Sequence, residues 1–360
     1  GIGCEVYLGP IWYVSNDGND FTGDGSEELP FKHIQYAVDQ STNGDTIMIA
    51  AGTYQENIST LEKNLSFIGS AEDPTIITPQ NSETNTFQVL YGDSVLIKNL
   101  SFIGDGALTG VYIYNTISSK LKNVIIDGYN QCNGFGLQIL DTNNPSNQSI
   151  NIENSTVKNN CQGIINYSSD MEIISSVIDS NSTGIIVSAA EKSLSLFDVR
   201  IANNIISEAS NWNAGAGLRY ISGSGEISID SCQFIGNSTS NRGGAIYFSN
   251  WGYSATINNT LFFNNFATEG GSAIDGMKGT LVMNSVFKSN RSLNTNYGST
   301  IRFAEDSNPT IESCIFISNT TNIFGGDSWN NGSANPDIVN SIIWNNSLMS
   351  ESWENIELGI

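Results

Sequence analysis

Charge is scarce in this sequence, and basic charge scarcer still. Charged residues make up 14% of 360, and 14 Lys and Arg stand against 36 Asp and Glu, for a formal charge of -22. Such a surface repels nucleic acid and anionic lipid, so a polyanionic ligand would need a local basic patch or bridging cations. No apolar run approaches the roughly 18 residues of a membrane span. Five cysteines are too few for a disulfide scaffold, and an odd number cannot all pair within the chain. The chain starts at Gly1 and reads as a mature, soluble protein with no membrane span.

What remains is abundant: Asn, Ser, Thr and Gly around a 39% hydrophobic fraction, the composition of a β-solenoid. A phrase of the form apolar-x-Asn/Ser-small-x-apolar-x-x-Asn recurs along the chain. It reads IENSTVKNN from Ile152, IDSCQFIGN from Ile229, INNTLFFNN from Ile257, VMNSVFKSN from Val282, IESCIFISN from Ile311 and IVNSIIWNN from Ile338. Anchored on its second apolar residue, the series runs Phe67, Phe102, Ile126, Val157, Ile178, Ile201, Phe234, Phe262, Phe287, Phe316 and Ile343, at intervals of 21 to 35 residues. Each interval suits one coil of a parallel β-helix, giving about eleven coils with length variation in the loops.

Strand alternation points Cys232 and Cys314 into the core, at the place held by Ser155, Ser176, Ser285 or Ser341 in other coils. Three coils at about 4.8 Å each separate the two thiols by about 14 Å, which excludes a bridge between them. Cys132 and Cys161 occupy neighbouring coils at similar places and are a candidate bridge, whereas Cys4 stands alone. The last Asn of the phrase recurs as Asn160, Asn181, Asn204, Asn237, Asn265, Asn290, Asn319 and Asn346. An inward ladder of stacked amides is expected, which makes the glycosylation sequons at Asn181, Asn237, Asn290 and Asn319 inaccessible.

Ahead of the coils, Trp12-Tyr13-Val14-Ser15 reads as a strand. Asn16 to Gly25 follows as an Asp/Gly loop, and Phe31, Ile34, Ala37 and Val38 fall at helical spacing between Pro30 and Gln40. That helix is expected to plug the first coil, so residues 1–58 form the opening and 59–360 the coils of one continuous domain. The stretch WYVSNDGNDFTGDGSEELPFKHIQYAVDQSTNGDTIMIAAGTYQENI, Trp12 to Ile58, resembles the opening of secreted right-handed parallel β-helix proteins of the pectin-lyase-like superfamily. The resemblance implies an all-β, three-faced solenoid, export, and association with polysaccharide or a cell surface. It fixes no reaction.

Hydrolases of the polygalacturonase type in that superfamily use clustered aspartates and a histidine. This sequence has no Asp-Asp pair, and its one histidine, His33, falls in the capping helix, so that mechanism is not expected. Lyases of the fold use a Lys or Arg base, with Ca²⁺ or basic groups on the substrate carboxylate. Here Arg219, Tyr247, Asp275 and Arg302 recur 28, 28 and 27 residues apart beside Leu218, Ile246, Ile274 and Ile301. They are expected to form one outward column, with Asp275 neutralising Arg302 and Trp212 and Trp251 in nearby loops able to stack on sugar rings. Arg219 and Arg302 are the candidate bases.

Asp17, Asp20 and Asp24 could supply oxygens to Ca²⁺, although their loop lacks the EF-hand spacing and reads first as a glycine-rich turn. The glycines at 215–217 and 243–244 are read as corners, with no Lys-Ser/Thr after them, and nucleotide binding is excluded. The expected role is a secreted or cell-surface binding or structural module, directed to carbohydrate or a partner surface. Its rivals are a lyase on a uronate polymer and a repeating subunit of a filament or surface layer. The stretch Trp344 to Ile360 shows no cap, which leaves self-association open at that end.

Overall fold

A computed structural model describes residues 10–131, 134–142, 148–189, 191–207, 214–221, 225–249, 255–294, 298–304, 307–325, 334 and 336–347. The chain forms two compact units, Gly1–Cys161 and Gln162–Ile360. Each is a parallel β-solenoid whose coils cross three main sheets in turn, and the second unit adds a short fourth sheet of Ile205–Ile206, Ser238–Thr239, Phe266–Ala267 and Arg291–Ser292. No helix is long and apolar enough to cross a membrane among the described residues. Cys4, Cys132 and Leu348 to Ile360 lie outside the described residues, and with them the Cys132–Cys161 bridge and the uncapped end.

In the first unit one coil runs through Ser94–Lys98, Ser101–Ile103 and Thr109–Tyr114 before Ser118–Lys122 returns to the first sheet. All pairs are parallel and in register, such as Ile126 against Phe102 and Val157. The opening strand Ile11–Val14 pairs with Thr46–Ile49. The helix is shorter than its periodicity suggests and spans Ile34–Gln40. Phe31 is drawn into a bridge with Val14, which leaves His33 as an extended N-cap rather than a helical residue. The helix buries Ile34, Ala37 and Val38. Its first amides are taken by a group from the sheets, because the Glu56 carboxylate accepts Ile34 N and Gln35 N at 2.9 Å each.

The recurring phrase encodes two corners. In Ile311 to Asn319, Ser313 and Ser318 both have φ +54°, while Cys314 and Phe316 point into the core. The same left-handed pair recurs at Asn259 and Asn264 (φ +47° and +56°), and at Asn340 and Asn345 (φ +50° and +52°). Asn tolerates this conformation better than other residues with a Cβ, because its short amide bonds locally. That explains why the turns of this solenoid are written in Asn. One anchor belongs elsewhere: Phe67 lies in the first sheet, in strand Ser66–Gly69 beside Ile47. The residue preceding Phe102 in the second sheet is Ile77, so the irregular first interval comes from counting across two faces.

The ladder forms as the phrase suggests. In the second unit each Nδ2 from Asn181 to Asn319 donates to Oδ1 of the next ladder Asn, at 2.9–3.0 Å. From Asn204 onward the same Nδ2 also reaches a carbonyl of the preceding coil, such as Phe234 O for Asn265. Asn160, in the first unit, accepts Tyr129 N at 3.0 Å. Asn181, Asn237, Asn290 and Asn319 are buried, so no glycan fits at those sequons in the folded chain. Beside the ladder, Phe234, Phe262, Phe287 and Phe316 stack at centroid spacings of 5.2, 4.7 and 4.7 Å.

Cys232 and Cys314 fill the small corner position. Cys232 Sγ donates to Asp230 O at 3.1 Å, as Ser285 Oγ does to Met283 O at 2.7 Å. Burial pushes their thiols up to about 12 and about 11. Native protein should therefore leave both thiols unmodified by maleimide at neutral pH until it unfolds. Cys232→Ser should cost about 1 kcal/mol or less, because the hydroxyl inherits the bond. Rapid labelling of the native thiol, or a large loss of stability, would contradict the core assignment.

Candidate functional site

Strands Leu218–Tyr220, Ile246–Phe248, Gly271–Met277 and Ser299–Phe303 share the third sheet of the second unit. Their register places Arg219 beside Tyr247, Tyr247 beside Asp275, and Asp275 beside Arg302. The column exists, but it is not an open, solvent-exposed one. Asp275 and Arg302 are only 2% and 3% exposed, and Arg219 and Tyr247 are half-buried.

The glycine corners explain this cover. Gly215, Gly243 and Gly270 take φ of +72°, +66° and +66°, and a Cβ on them would fall 2.9 Å from Arg219 Cβ, 2.7 Å from Tyr247 Cβ and 2.1 Å from Asp275 Oδ2. The chain entering each strand thus folds back over that strand's own outward side chain, an approach that only glycine allows. Asp275 Oδ2 accepts Gly271 N at 2.7 Å, and Oδ1 lies 3.3 Å from Arg302 Nη1. Arg219 forms no ion pair among the described residues, and its Nε has no hydrogen-bond partner there. Burial holds the Arg219 guanidinium below its ordinary range and pushes the Tyr247 phenol up, with the Asp275 charge adding to the rise. Trp212 and Trp251 lie outside the described residues.

The three loop aspartates serve different ends. Asp20 Oδ1 accepts Lys32 N and His33 N at 2.8 and 3.1 Å, and its Oδ2 meets His33 Nδ1 at 2.5 Å. Burial raises its pKa, but these bonds outweigh it and hold the carboxyl below the ordinary range. Asp24 Oδ1 caps Ser26 N, and Asp17 is exposed. No group of three His, Cys, Asp or Glu with metal-binding geometry occurs among the described residues.

A different cluster sits on the third sheet of the first unit. In strands Asn85–Leu90, Thr109–Tyr114 and Phe135–Leu140, alternate residues such as Phe87, Val111 and Leu137 enter the core. Outward stand Gln88, Tyr112 and Gln138 in one row, and Leu90, Tyr114 and Leu140 in the next. Tyr112 and Tyr114 stack at 5.9 Å, and Tyr91, 49% exposed, meets Tyr114 edge-on at 5.2 Å. Tyr114 Oη bonds Thr142 Oγ1 at 2.9 Å. Burial, followed by the neighbouring Tyr114 and Tyr91, pushes the Tyr112 phenol up.

Three phenol rings between two amides offer apolar faces together with donors and acceptors, at a strand spacing of about 4.8 Å. The sequence carries the signal as GVYIYN, with tyrosines at i and i+2 of a strand and glutamines in register on both sides. The repeat misses it because it lies upstream of the clear copies of the phrase. A separate cleft of about 440 Å³ opens against the first sheet of the same unit, bordered by Tyr13, Glu27, Met48 and Ser70. None of the candidate site residues read from the sequence lines it.

No family model matches the chain. Among solved structures it is similar to a GH136 lacto-N-biosidase from Eubacterium ramulus, with a TM-score of 0.60 and 12% identity, covering 93% of this chain and 68% of that one. XylC in complex with xylose gives 0.56 and 10%, covering 96% and 85%. The catalytic unit of a GH87 alpha-1,3-glucanase from Streptomyces thermodiastaticus gives 0.50 and 10%, covering 95% and 70%. At such identities the likeness is one of fold. The chain has the parallel β-helix fold that its opening sequence implies.

Proposed function

We propose that this chain is a secreted or cell-surface β-helix that binds carbohydrate, with Tyr91, Tyr112 and Tyr114 as its contact surface. The observation that carries the reading is the solvent-facing tyrosine patch flanked by Gln88 and Gln138. Phenol rings pack on the C–H faces of sugars, while the amides pair with their hydroxyls. The patch residues carry no basic group, and a chain of charge -22 repels polyanions, so the surface suits a neutral glycan. The names of the similar structures, two glycosidases and a xylose complex, support a carbohydrate role.

Affinity electrophoresis through gels containing xylan, β-glucan or galactan, beside alginate and polygalacturonate, tests the idea. Retention by a neutral glycan should weaken tenfold or more in Tyr112→Ala, about 1.4 kcal/mol, with an unchanged circular dichroism spectrum. Undiminished retention in a Tyr112→Ala/Tyr114→Ala variant would remove the patch from consideration.

The lyase reading draws support from one observation, the desolvated Arg219 beside Tyr247. It requires unsaturated product, seen as ultraviolet absorbance, from a uronate polymer and its loss in Arg219→Ala. Arg302 suits that role less well, because its guanidinium is already engaged by Asp275.

A further inference from the structure

Five arginines occur in the whole chain, and three of them, Arg219, Arg242 and Arg302, gather around one tyrosine and one carboxylate in the second unit. Arg219 is the cross-strand neighbour of Tyr247, and Asp275 lies between Tyr247 and Arg302. Arg242 arrives from the preceding corner: a Cβ on Gly270 would meet Arg242 Cγ at 3.0 Å and Asp275 Oδ2 at 2.1 Å. All three arginine charges, with that of Asp275, act on the Tyr247 hydroxyl.

The charges do not balance. Asp275 is committed to Arg302 Nη1 and Gly271 N, and no ion pair to Arg219 or Arg242 exists among the described residues. Two positive charges are therefore left over at a half-buried place, in a chain whose acidic residues outnumber its basic ones 36 to 14. Confining like charges without a counter-ion is costly. A bound anion would supply the missing charge.

The donor set constrains that anion. The arginines come from a strand, from a neighbouring corner and from a strand three places along the sheet, and Tyr247 stands in the same row between Arg219 and Asp275. A planar carboxylate offers two oxygens and is well served by one fork. A tetrahedral oxyanion offers three or four oxygens in different directions and suits donors converging from several sides. We propose that Arg219, Arg242 and Tyr247, backed by the Asp275–Arg302 pair, form a binding site for a sulfate- or phosphate-type oxyanion. The proposal does not depend on the tyrosine patch of the first unit.

Isothermal titration calorimetry of the intact protein, with sodium sulfate, sodium phosphate and sodium acetate at ionic strength fixed by sodium chloride, tests this. Sulfate or phosphate should bind saturably at one site per chain, tenfold or more tighter than acetate. Arg242→Ala should weaken binding tenfold or more, and Tyr247→Phe, which keeps the ring, should weaken it by a smaller factor. Near-ultraviolet circular dichroism establishes that both variants are folded.

N-Acetylglucosamine 6-sulfate against N-acetylglucosamine distinguishes the source. Preference for the sulfated sugar supports the site as a reader of sulfate esters, and binding of inorganic sulfate alone supports it as a free-anion site. Absence of saturable binding, acetate binding as tight as sulfate, or undiminished affinity in both Arg242→Ala and Arg219→Ala would overturn the proposal.

Discussion

Replacing Asn265 by alanine should destabilise the second unit by about 3–5 kcal/mol. The residue is fully buried. Its Nδ2 serves Phe234 O at 2.9 Å and Asn290 Oδ1 at 3.0 Å, while its Oδ1 accepts Asn237 Nδ2 at 3.0 Å and Asn237 N at 3.1 Å. Alanine removes four hydrogen bonds to neighbouring coils and leaves Asn237 N buried without its acceptor, whereas Asn237 Nδ2 keeps Ile201 O and Asn290 Oδ1 keeps the Asn265 amide. Each lost bond costs about 0.5–1.5 kcal/mol and the stranded amide about 1–3 kcal/mol. Partial relaxation brings the total below their simple sum. Asn346→Ala, at a half-exposed rung, should cost about 1 kcal/mol because water replaces the amide. Denaturant titration followed by circular dichroism measures both. Equal, small losses at the two positions would show that the ladder fills space without holding the coils.

Asp275→Ala should produce a loss of similar size, about 3–5 kcal/mol, since removing one partner of a buried pair leaves the other charge uncompensated. The side chains of Arg302 and Asp275 are 4% and 2% exposed, so solvent screening gives little relief. The amide of Gly271, held at 2.7 Å, also loses its acceptor. An Asp275→Ala/Arg302→Met double variant should recover much of the loss, because it removes the stranded charge and keeps comparable volume. Thermal denaturation of the two variants side by side separates these cases. If Asp275→Ala melts with the parent protein, the pair is solvated and the corner does not cover it.

These two sites also mark what the sequence could and could not disclose. The ladder was legible because each Asn follows its anchor by a constant three residues, so periodicity alone aligns the amides. The Arg219-to-Arg302 column was legible in register for the same reason. Its exposure was not, because that depends on where the glycine corners fold, and a positive φ at Gly243 or Gly270 has no periodic signature of its own. Phe67 misleads because an inward phenylalanine looks the same on either sheet. The tyrosine patch needs only strand alternation at Val111 to Tyr114, but its partners Gln88 and Gln138 lie 24 residues before and 26 after Tyr112, and only the coil length connects them. Spacing sets His33 inside the helix because it cannot reveal that Phe31 prefers a bridge to Val14.

The ladder has one further property, which follows from its direction. Every amide from Asn204 to Asn319 takes its neighbour's hydrogen on the N-terminal side and gives its own towards the C-terminal side, with Asn181 giving to the first of them. The six links therefore align head to tail, and each bond polarises the next. Like the peptide units of an α-helix, they sum to an electric polarity along the stack, with the positive pole towards Asn346 and the negative pole towards Asn181. The second unit is thus a vector as well as a scaffold, and an anion approaching its two ends meets fields of opposite sign.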